Sequence, residues 1–331
     1  MIKIFLSMIL FAVSVFAQPK FERTNSAPGE FARYGFGPRG IAMGNSVSAL
    51  KTGNITSYYN PALVVFQKDN FTSVSSAVLS YDRMLNTLGF TRRFEFFAKD
   101  DTLENRKPRS TAGISAGIIN FGISNIDGRD NQGLKTKDLS ISENQFFLAF
   151  ANKFSEKFSA GIGVKFYYFD LYEKASASSL GFDIGIVYTY SDNLSFSAVI
   201  QDINSAYKWD TSELYGNSGT TTTDRFPVAK KFGFAYTFTD LPLHLSAEYE
   251  FNNMERKLLR IGGEYALIPE FLLRAGFDKW HLKNSDEAVV PSFGFSYQFA
   301  LAGLASGIDY AAAPEQFSSG LRHYFGISLN F

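Results

Sequence analysis

The chain has 331 residues and no net formal charge, because 32 basic residues balance 32 acidic ones. Neutrality argues against nucleic acid as a partner, since nucleic-acid-binding surfaces are basic. The absence of cysteine excludes disulfides, thiolate nucleophiles and cysteine-based metal sites. Phenylalanine (35) and tyrosine (17) far outnumber tryptophan (2), an aromatic excess that both strands and membrane-interface girdles favour.

The N-terminus has the three regions of a secretory signal peptide. Lys3 supplies the positive charge, an apolar run follows over residues 4–15, and Ala17 supplies the small residue at the cleavage site. A membrane-spanning helix needs about 20 apolar residues, so this run is too short to be an anchor. We therefore predict that residues 1–17 are a signal peptide removed after Ala17.

A polar lead follows, and it contains a misleading motif. Residues 35–40 read G-x-G-x-x-G, the dinucleotide-binding pattern. That motif requires a preceding buried strand, a following helix and an acidic residue about twenty positions on. Here Pro38 lies inside the motif and Asn60 stands where the acid should be. A nucleotide site is therefore not expected.

Residues 39–66 are the least strand-like part of the chain. Small residues at Gly40, Ala42 and Gly44 allow backbone to pack closely against backbone, and Asn60-Pro61 ends any regular element. One interpretation is a surface loop ahead of an ordinary β-domain. The preferred interpretation is a segment enclosed by the rest of the chain, so that residues 18–66 form a lead and a lumen plug.

From Asn70 onward the chain is a series of alternating segments separated by turn residues. Between Phe158 and Tyr168, for example, apolar side chains alternate with small or polar ones. We predict an all-β fold, a transmembrane antiparallel outer-membrane β-barrel of about fourteen strands over residues 67–331. The predicted strands are 70–81, 85–97, 111–124, 143–153, 157–171, 177–190, 193–203, 227–239, 242–252, 256–267, 270–281, 289–300, 303–312 and 320–331.

The connections between these segments favour a membrane barrel over a soluble sandwich, which would also alternate. Even-to-odd connections are mostly tight, whereas the longest odd-to-even ones, 125–142 and 204–226, are long and polar. Short turns on one rim and long loops on the other are the bacterial outer-membrane pattern. The charged connection 99–109 does not fit it. The last segment ends on Phe331 and resembles the closing-strand signal of such barrels, which implies recognition by the barrel-assembly machinery.

A family resemblance rests on the enclosed segment. Arg39-Gly40-Ile41-Ala42-Met43-Gly44, followed by Tyr58-Tyr59-Asn60-Pro61-Ala62, resembles the N-terminal signature of the FadL-type outer-membrane barrels, and most of all their PorV/PorQ branch. Two departures stand out: Gly44-Asn45 replaces the usual Gly-Gly, and residues 51–54 replace a common acidic pair. The resemblance implies a plug motif made of Arg39, Gly40, Met43, Gly44, Asn60, Pro61 and Ala62.

The same resemblance implies a function. A PorV/PorQ-type barrel would be a non-catalytic component of type IX protein secretion that handles cargo or attaches it at the cell surface. Its partners would be outer-membrane lipid, secretion-system proteins and secreted cargo. The alternative is passive transport of hydrophobic small molecules, as in the fatty-acid transporters of the superfamily. A purely structural outer-membrane protein is a third interpretation.

The inward face of the predicted barrel carries charges of both signs. Glu264 and Arg274 are equidistant from Pro269, as are Arg260 and Asp278, so each pair should lie opposite across that hairpin. Glu248 and Arg260 are likewise symmetric about Met254. The charges could line a polar path, but a structural lattice is the preferred interpretation, because enclosed charges must be paired or hydrated. The lattice residues are Glu248, Arg260, Glu264, Arg274 and Asp278.

Neither catalysis nor a cofactor or metal is expected. The three histidines, His244, His281 and His323, fall on three different predicted strands, and no H-E-x-x-H or G-x-S-x-G motif is present. Trp209 and Tyr215 lie deep in the loop 204–226, too far from the strand ends to belong to a membrane girdle. They fit either a protein-contact site or a cap over the lumen.

Overall fold

The computed structural model describes residues 27–97, 108–172, 174–282, 288–315 and 320–331. Over these residues the chain forms a closed antiparallel β-barrel of fourteen strands, so the predicted fold class is confirmed. The predicted signal peptide (1–17) and residues 18–26 lie outside the described residues, as does most of the connection 99–109.

Each barrel strand pairs with its neighbours in the sequence, with two exceptions. β7 pairs with β10, because β8 and β9 form a separate two-stranded hairpin, and β1 pairs with β16 to close the ring. The strands are β1 (Phe71–Leu79), β2 (Arg83–Phe96), β3 (Ser110–Arg129), β4 (Lys135–Lys153), β5 (Phe158–Tyr172), β6 (Ala175–Thr189), β7 (Leu194–Ile203), β8 (Ala206–Asp210), β9 (Thr221–Arg225), β10 (Ala229–Thr237), β11 (Leu243–Asn252), β12 (Lys257–Ile268), β13 (Phe271–His281), β14 (Val290–Leu301), β15 (Leu304–Pro314) and β16 (Leu321–Asn330).

The exterior of the barrel is apolar because one side chain in two points outward. On β5, Ile162 is 59% exposed, whereas its neighbours Gly161 and Gly163 are buried on the inner face. The outward faces of β6 and β16 continue this apolar surface with Leu180 and Ile327. The fold and its exterior are those of a bacterial outer-membrane β-barrel. No helix within the described parts of the chain is long and apolar enough to span a membrane.

Two predicted loops contain regular structure instead. Residues 125–142 are mostly strand, because β3 and β4 continue as a hairpin whose turn spans 130–134. The polar composition suggested a loop, but Ile126 and Leu139 pair across the hairpin beyond a bulge at Asn125.

The second predicted loop, 204–226, contains β8, the short helix α2 (Ser212–Tyr215) and β9. Aromatic and threonine side chains, which favour strands, explain this hairpin. We call it the outer hairpin. On the same rim, the connections at residues 80–82 and 253–256 are as short as turns.

Residues 27–66, which we call the interior segment, lie within the barrel. Ala42, Met43 and Ala49 are completely buried. The segment contains a 3-10 turn at Glu30–Arg33, the short helix α1 (Gly37–Ala42) and a second 3-10 turn at Pro61–Phe66. It starts on the long-loop side of the lumen and ends at the short-turn rim, where the backbones of Asn70 and Phe331 exchange two hydrogen bonds of 3.0 Å.

Glycines allow the interior segment to contact the wall. Gly44 has φ +59°, and a Cβ on it would lie 2.6 Å from the carbonyl oxygen of Phe277 on β13. On the opposite side of the lumen, a Cβ on Gly161 of β5 would lie 2.6 Å from the carbonyl carbon of Pro61. Backbone therefore packs against backbone at both places, and any side chain would force the two apart.

Candidate functional site

The inner faces of β11 to β13 carry a network of ion pairs that reaches the interior segment. Glu264 and Arg274 are directly opposite in the register, with Nε of Arg274 2.6 Å from Oε2 of Glu264. Arg39 of the interior segment binds the same carboxylate through two nitrogens, at 2.8 and 2.9 Å. This bidentate geometry is the strong form of an arginine–carboxylate contact, and it attaches α1 to the wall.

Arg260 binds three carboxylates. Its guanidinium lies 3.0 Å from Glu248, 2.7 Å from Glu250 and 2.6 Å from Asp278. Glu248 is directly opposite Arg260 in the register. Asp278 is not, because a bulge shifts the register between Leu259 and Ile261. Hairpin symmetry therefore indicates that Arg260 pairs with Glu248 and Asp278. The bulge means, however, that Arg260 and Asp278 are not directly opposite each other.

Two β-bulges turn extra charged side chains toward the lumen. Asp202 on β7 and Lys279 on β13 both have left-handed backbone, with φ of 63° and 55°, and both side chains are buried. A bulge inserts one residue and breaks the alternation of faces. Strict alternation would have directed these two residues to the lipid, which is why the sequence analysis missed them.

Both bulges hold the first turn of the interior segment. Asp202 lies 3.3 Å from Arg33, and Lys279 lies 3.4 Å from Glu30. Arg256 adds a contact of 3.6 Å to Glu30. Burial would raise the pKa of Glu30, but attraction to Lys279, Arg256 and Arg33 lowers it below its ordinary value. Glu30 is therefore ionised at neutral pH.

Among the described residues, two cavities lie beside the interior segment. The larger, of about 110 Å³, lies toward the short-turn rim, which is the periplasmic side in barrels of this kind. We call it the periplasmic-side cavity. Phe36, Leu63 and Leu272 form its apolar lining, and the ion pair of Glu264 and Arg274 lies on its polar side.

The smaller cavity, of about 30 Å³, lies toward the long loops and is called the outer-side cavity. Its lining is mostly charged and includes Arg33, Lys165, Lys231 and Glu250. Tyr59 of the interior segment lines both cavities.

The remaining residues of the plug motif shape the segment itself. The side chain of Asn60 accepts a hydrogen bond from the backbone N–H of Ala62 at 2.9 Å and so caps the second 3-10 turn, with Pro61 at its first position. Asn60 also donates to the carbonyl of Ser48 at 2.9 Å. Gly40 lies against the ring of Tyr59, where a side chain would collide with the hydroxyl.

Tyr207 and Trp209 of the outer hairpin pack against other aromatic rings. Trp209 lies 5.2 Å from the ring of Phe169, and Tyr207 lies 4.9 Å from that of Phe226. Nε1 of Trp209 donates to Asp224 at 3.0 Å. Tyr215, at the tip, is 66% exposed. The two contact candidates are thus in different surroundings. Trp209 packs against β5, whereas Tyr215 is exposed to solvent.

The histidines lie on β11, β13 and β16, as the sequence indicated. His244 is bonded to Thr237 at 2.9 Å and His323 to Tyr310 at 2.8 Å. Within the described ranges, no group of three or more acidic or histidine side chains could hold a metal ion.

No protein-family model and no curated protein matches the chain. Solved structures do match. The toluene transporter TbuX of Ralstonia pickettii superimposes with a TM-score of 0.57 at 15% identity, covering 90% of this chain and 98% of that one. The toluene transporter TodX of Pseudomonas putida gives 0.57 at 13% identity, covering 89% and 96%. A FadL homologue of Pseudomonas aeruginosa gives 0.56 at 13% identity, covering 89% and 98%.

The chain has the FadL-type barrel fold. Agreement extends over about nine tenths of this chain and nearly the whole of each matched chain. At this level of identity the similarity concerns the fold, and the function must be argued from the site itself.

Proposed function

We propose that the protein is a passive transporter of small hydrophobic compounds across the outer membrane. The observation that carries this proposal is the cavity of about 110 Å³ between the interior segment and the wall of a FadL-type barrel. That TbuX and TodX, which share the fold, are toluene transporters supports it. The transport alternative of the sequence analysis is therefore preferred to a role in secretion.

The cavity has the size and chemistry for a compound of about one ring. An apolar protein cavity of roughly 150 Å³ binds benzene, and this one is only somewhat smaller. Phe36, Leu63 and Leu272 would contact the apolar body of the compound. The ionic groups opposite are already satisfied by one another, so they need no partner from the solute.

The interior segment acts as a plug in this proposal. Its ion pairs to the wall, from Arg39 to Glu264 and from Arg33 to Asp202, hold it in the lumen. In this proposal a compound passes when the segment moves locally, and the structure corresponds to the closed state. Buried ion pairs would rigidify the segment and confine the movement to a few side chains.

A second candidate is a component of type IX secretion or of cargo attachment. It is favoured by Tyr215, which is exposed at the tip of the outer hairpin, because exposed aromatic residues are common at protein contacts. The PorV/PorQ resemblance of the interior segment points the same way. Secretion-system proteins and secreted cargo would then be the partners.

Toluene uptake tests the transport proposal. In a host outer membrane without a toluene transporter, the protein should raise the uptake rate above that of an empty vector. Gly307 lines the cavity, so Gly307→Leu should fill it and abolish most of the increase. Ala275→Leu, on the outward face of β13, is the matched control and should have no effect. Absence of uptake, or equal uptake by Gly307→Leu, would overturn the proposal.

Deletion of residues 212–223 separates the two candidates. In a cell that has the secretion system, a secretion component should lose surface-localised cargo while its barrel stays folded. A transporter should keep cargo at the surface and change only its uptake of hydrophobic compounds. Loss of cargo with unchanged uptake would favour the secretion role instead.

A further inference from the structure

The two cavities lie on opposite sides of one side chain. Tyr59 is the residue common to the linings of the periplasmic-side and outer-side cavities. It is only 3% exposed. On one side of it lie the apolar groups Phe36 and Leu63, and on the other the charged groups Arg33 and Arg260. The ring is therefore a partition between two chambers of different polarity.

Hydrogen bonds of the hydroxyl to the backbone of Phe36 and to Asn45 hold the ring in place. The hydroxyl accepts from the backbone N–H of Phe36 at 2.9 Å and donates to Oδ1 of Asn45 at 2.8 Å. The ring also packs edge-on against Tyr58, with centroids 4.7 Å apart. Gly40 provides the space for the hydroxyl. These contacts lie within the interior segment, so turning the ring need not break the ion pairs between the segment and the wall.

Asn45 connects the partition to the barrel. Its Nδ2 donates to Oδ2 of Asp278 at 3.0 Å, and Asp278 is held by Arg260. Asn45 has φ +57°, a conformation that glycine adopts more easily. Asparagine at this position therefore has a use that glycine lacks, since its amide links the Tyr59 hydroxyl to the wall.

We propose that Tyr59 is the gate of the lumen, and that rotation of its side chain joins the two cavities into one passage. The solute that crosses must tolerate first a charged and then a largely apolar lining, so it is small and uncharged. This inference rests on the proposed transport function and adds to it the residue that controls passage. The step breaks the hydrogen bonds of one hydroxyl and leaves the ion pairs of the segment intact.

Glycerol permeation into proteoliposomes, together with conductance in planar bilayers, tests the gate. Tyr59→Ala should raise both several-fold over the unmodified protein, because the cavities then communicate. Tyr59→Phe should give an intermediate rise, since the ring remains but its hydrogen bonds are lost. Phe31→Ala is the matched control, because Phe31 is a buried ring of the same segment that lines neither cavity. It should leave permeation unchanged.

Asn45→Gly provides a second variant if Tyr59→Ala does not fold. It removes the acceptor of the hydroxyl, keeps the ring and suits the left-handed backbone, and it should also raise permeation. The proposal is overturned if the folded Tyr59 and Asn45 variants permeate glycerol no faster than the unmodified protein, or if Phe31→Ala is equally permeable. Toluene uptake is a separate readout: a protein that takes up no toluene but is opened by Tyr59→Ala would refute the substrate class and retain the gate.

Discussion

Arg260 illustrates how the barrel accommodates charge in its interior. The residue is buried and its guanidinium contacts carboxylates on both neighbouring strands, Glu248 and Glu250 on β11 and Asp278 on β13. Removing ions from water costs several kcal/mol each, and the cost is recovered only where geometry is good and hydrogen bonds are satisfied. Arg260 is the partner that all three acids share, and Lys231 adds contacts of 3.6 Å to Glu248 and Glu250.

Replacement of Arg260 should therefore destabilise the barrel strongly. Arg260→Met keeps the aliphatic length but leaves three buried carboxylates without their shared partner, and we expect a loss of about 3–5 kcal/mol in the free energy of unfolding. Denaturant unfolding in detergent, followed by tryptophan fluorescence, measures it. Arg129→Met is the control, because Arg129 pairs with Asp127 on the exposed hairpin and should cost at most about 1 kcal/mol. Equal losses in the two variants would contradict a buried network.

Glu30 should make the interior segment sensitive to acid. Its pKa is lowered in the folded protein, so its stabilising contribution is present above its unfolded pKa and is lost as the pH falls through the folded value. Protonation then removes its attraction to Lys279 and Arg256. In a series of unfolding measurements from neutral to acidic pH, Glu30→Gln should be less stable than the unmodified protein at neutral pH and should lose less on acidification. Parallel pH profiles for the two proteins would show that Glu30 carries no such contribution.

At the scale of elements, β12 presents two consecutive glycines to opposite faces. Gly262 faces the lumen, where a Cβ would lie 2.8 Å from the carbonyl carbon of Met43. Gly263 faces outward, where the nearest atom is the flexible end of Leu245 at 3.2 Å. The same substitution therefore meets backbone at one position and a movable side chain at the next.

Alanine substitutions at these two glycines distinguish the effect of packing against the interior segment from the effect of strand propensity on stability. Gly262→Ala should displace Met43 and Gly44 and destabilise the protein by about 1–3 kcal/mol, the usual cost of overpacking. Gly263→Ala should be neutral or slightly stabilising, because alanine restricts the unfolded chain more than glycine does. Unfolding midpoints compare the variants, and limited proteolysis of the interior segment should increase only in Gly262→Ala. An unaffected Gly262→Ala would mean that the segment does not pack against β12.

The sequence predicts the strands well because alternation and turn residues are local signals. Fourteen segments and their order follow from them, and hairpin symmetry places Glu264 opposite Arg274. The bulges at Asp202 and Lys279 are not predictable in this way, because one inserted residue leaves no mark on composition. The contacts that Glu30 and Arg33 make with those bulges are therefore not predictable either.

Within the complete barrel, the strands that contact the interior segment are even harder to predict from the sequence. Small residues indicate close packing in residues 39–66, but they do not identify the facing strands. The cavities depend on how imperfectly the segment fills the lumen, which is a property of the assembled barrel. Tyr59 was singled out only as part of the family signature, and its position between two cavities has no sequence signal.

The position of the interior segment also constrains the order of assembly. Glu30 contacts a residue 249 positions later, and Arg39 one that is 225 positions later. A ring closed by β1 and β16 cannot afterwards be threaded by a segment that is bound to its wall along the whole lumen. The sheet must therefore curl around the segment while the last strands are still arriving, so closure of the ring and filling of the lumen form one late, slow event dominated by non-local contacts.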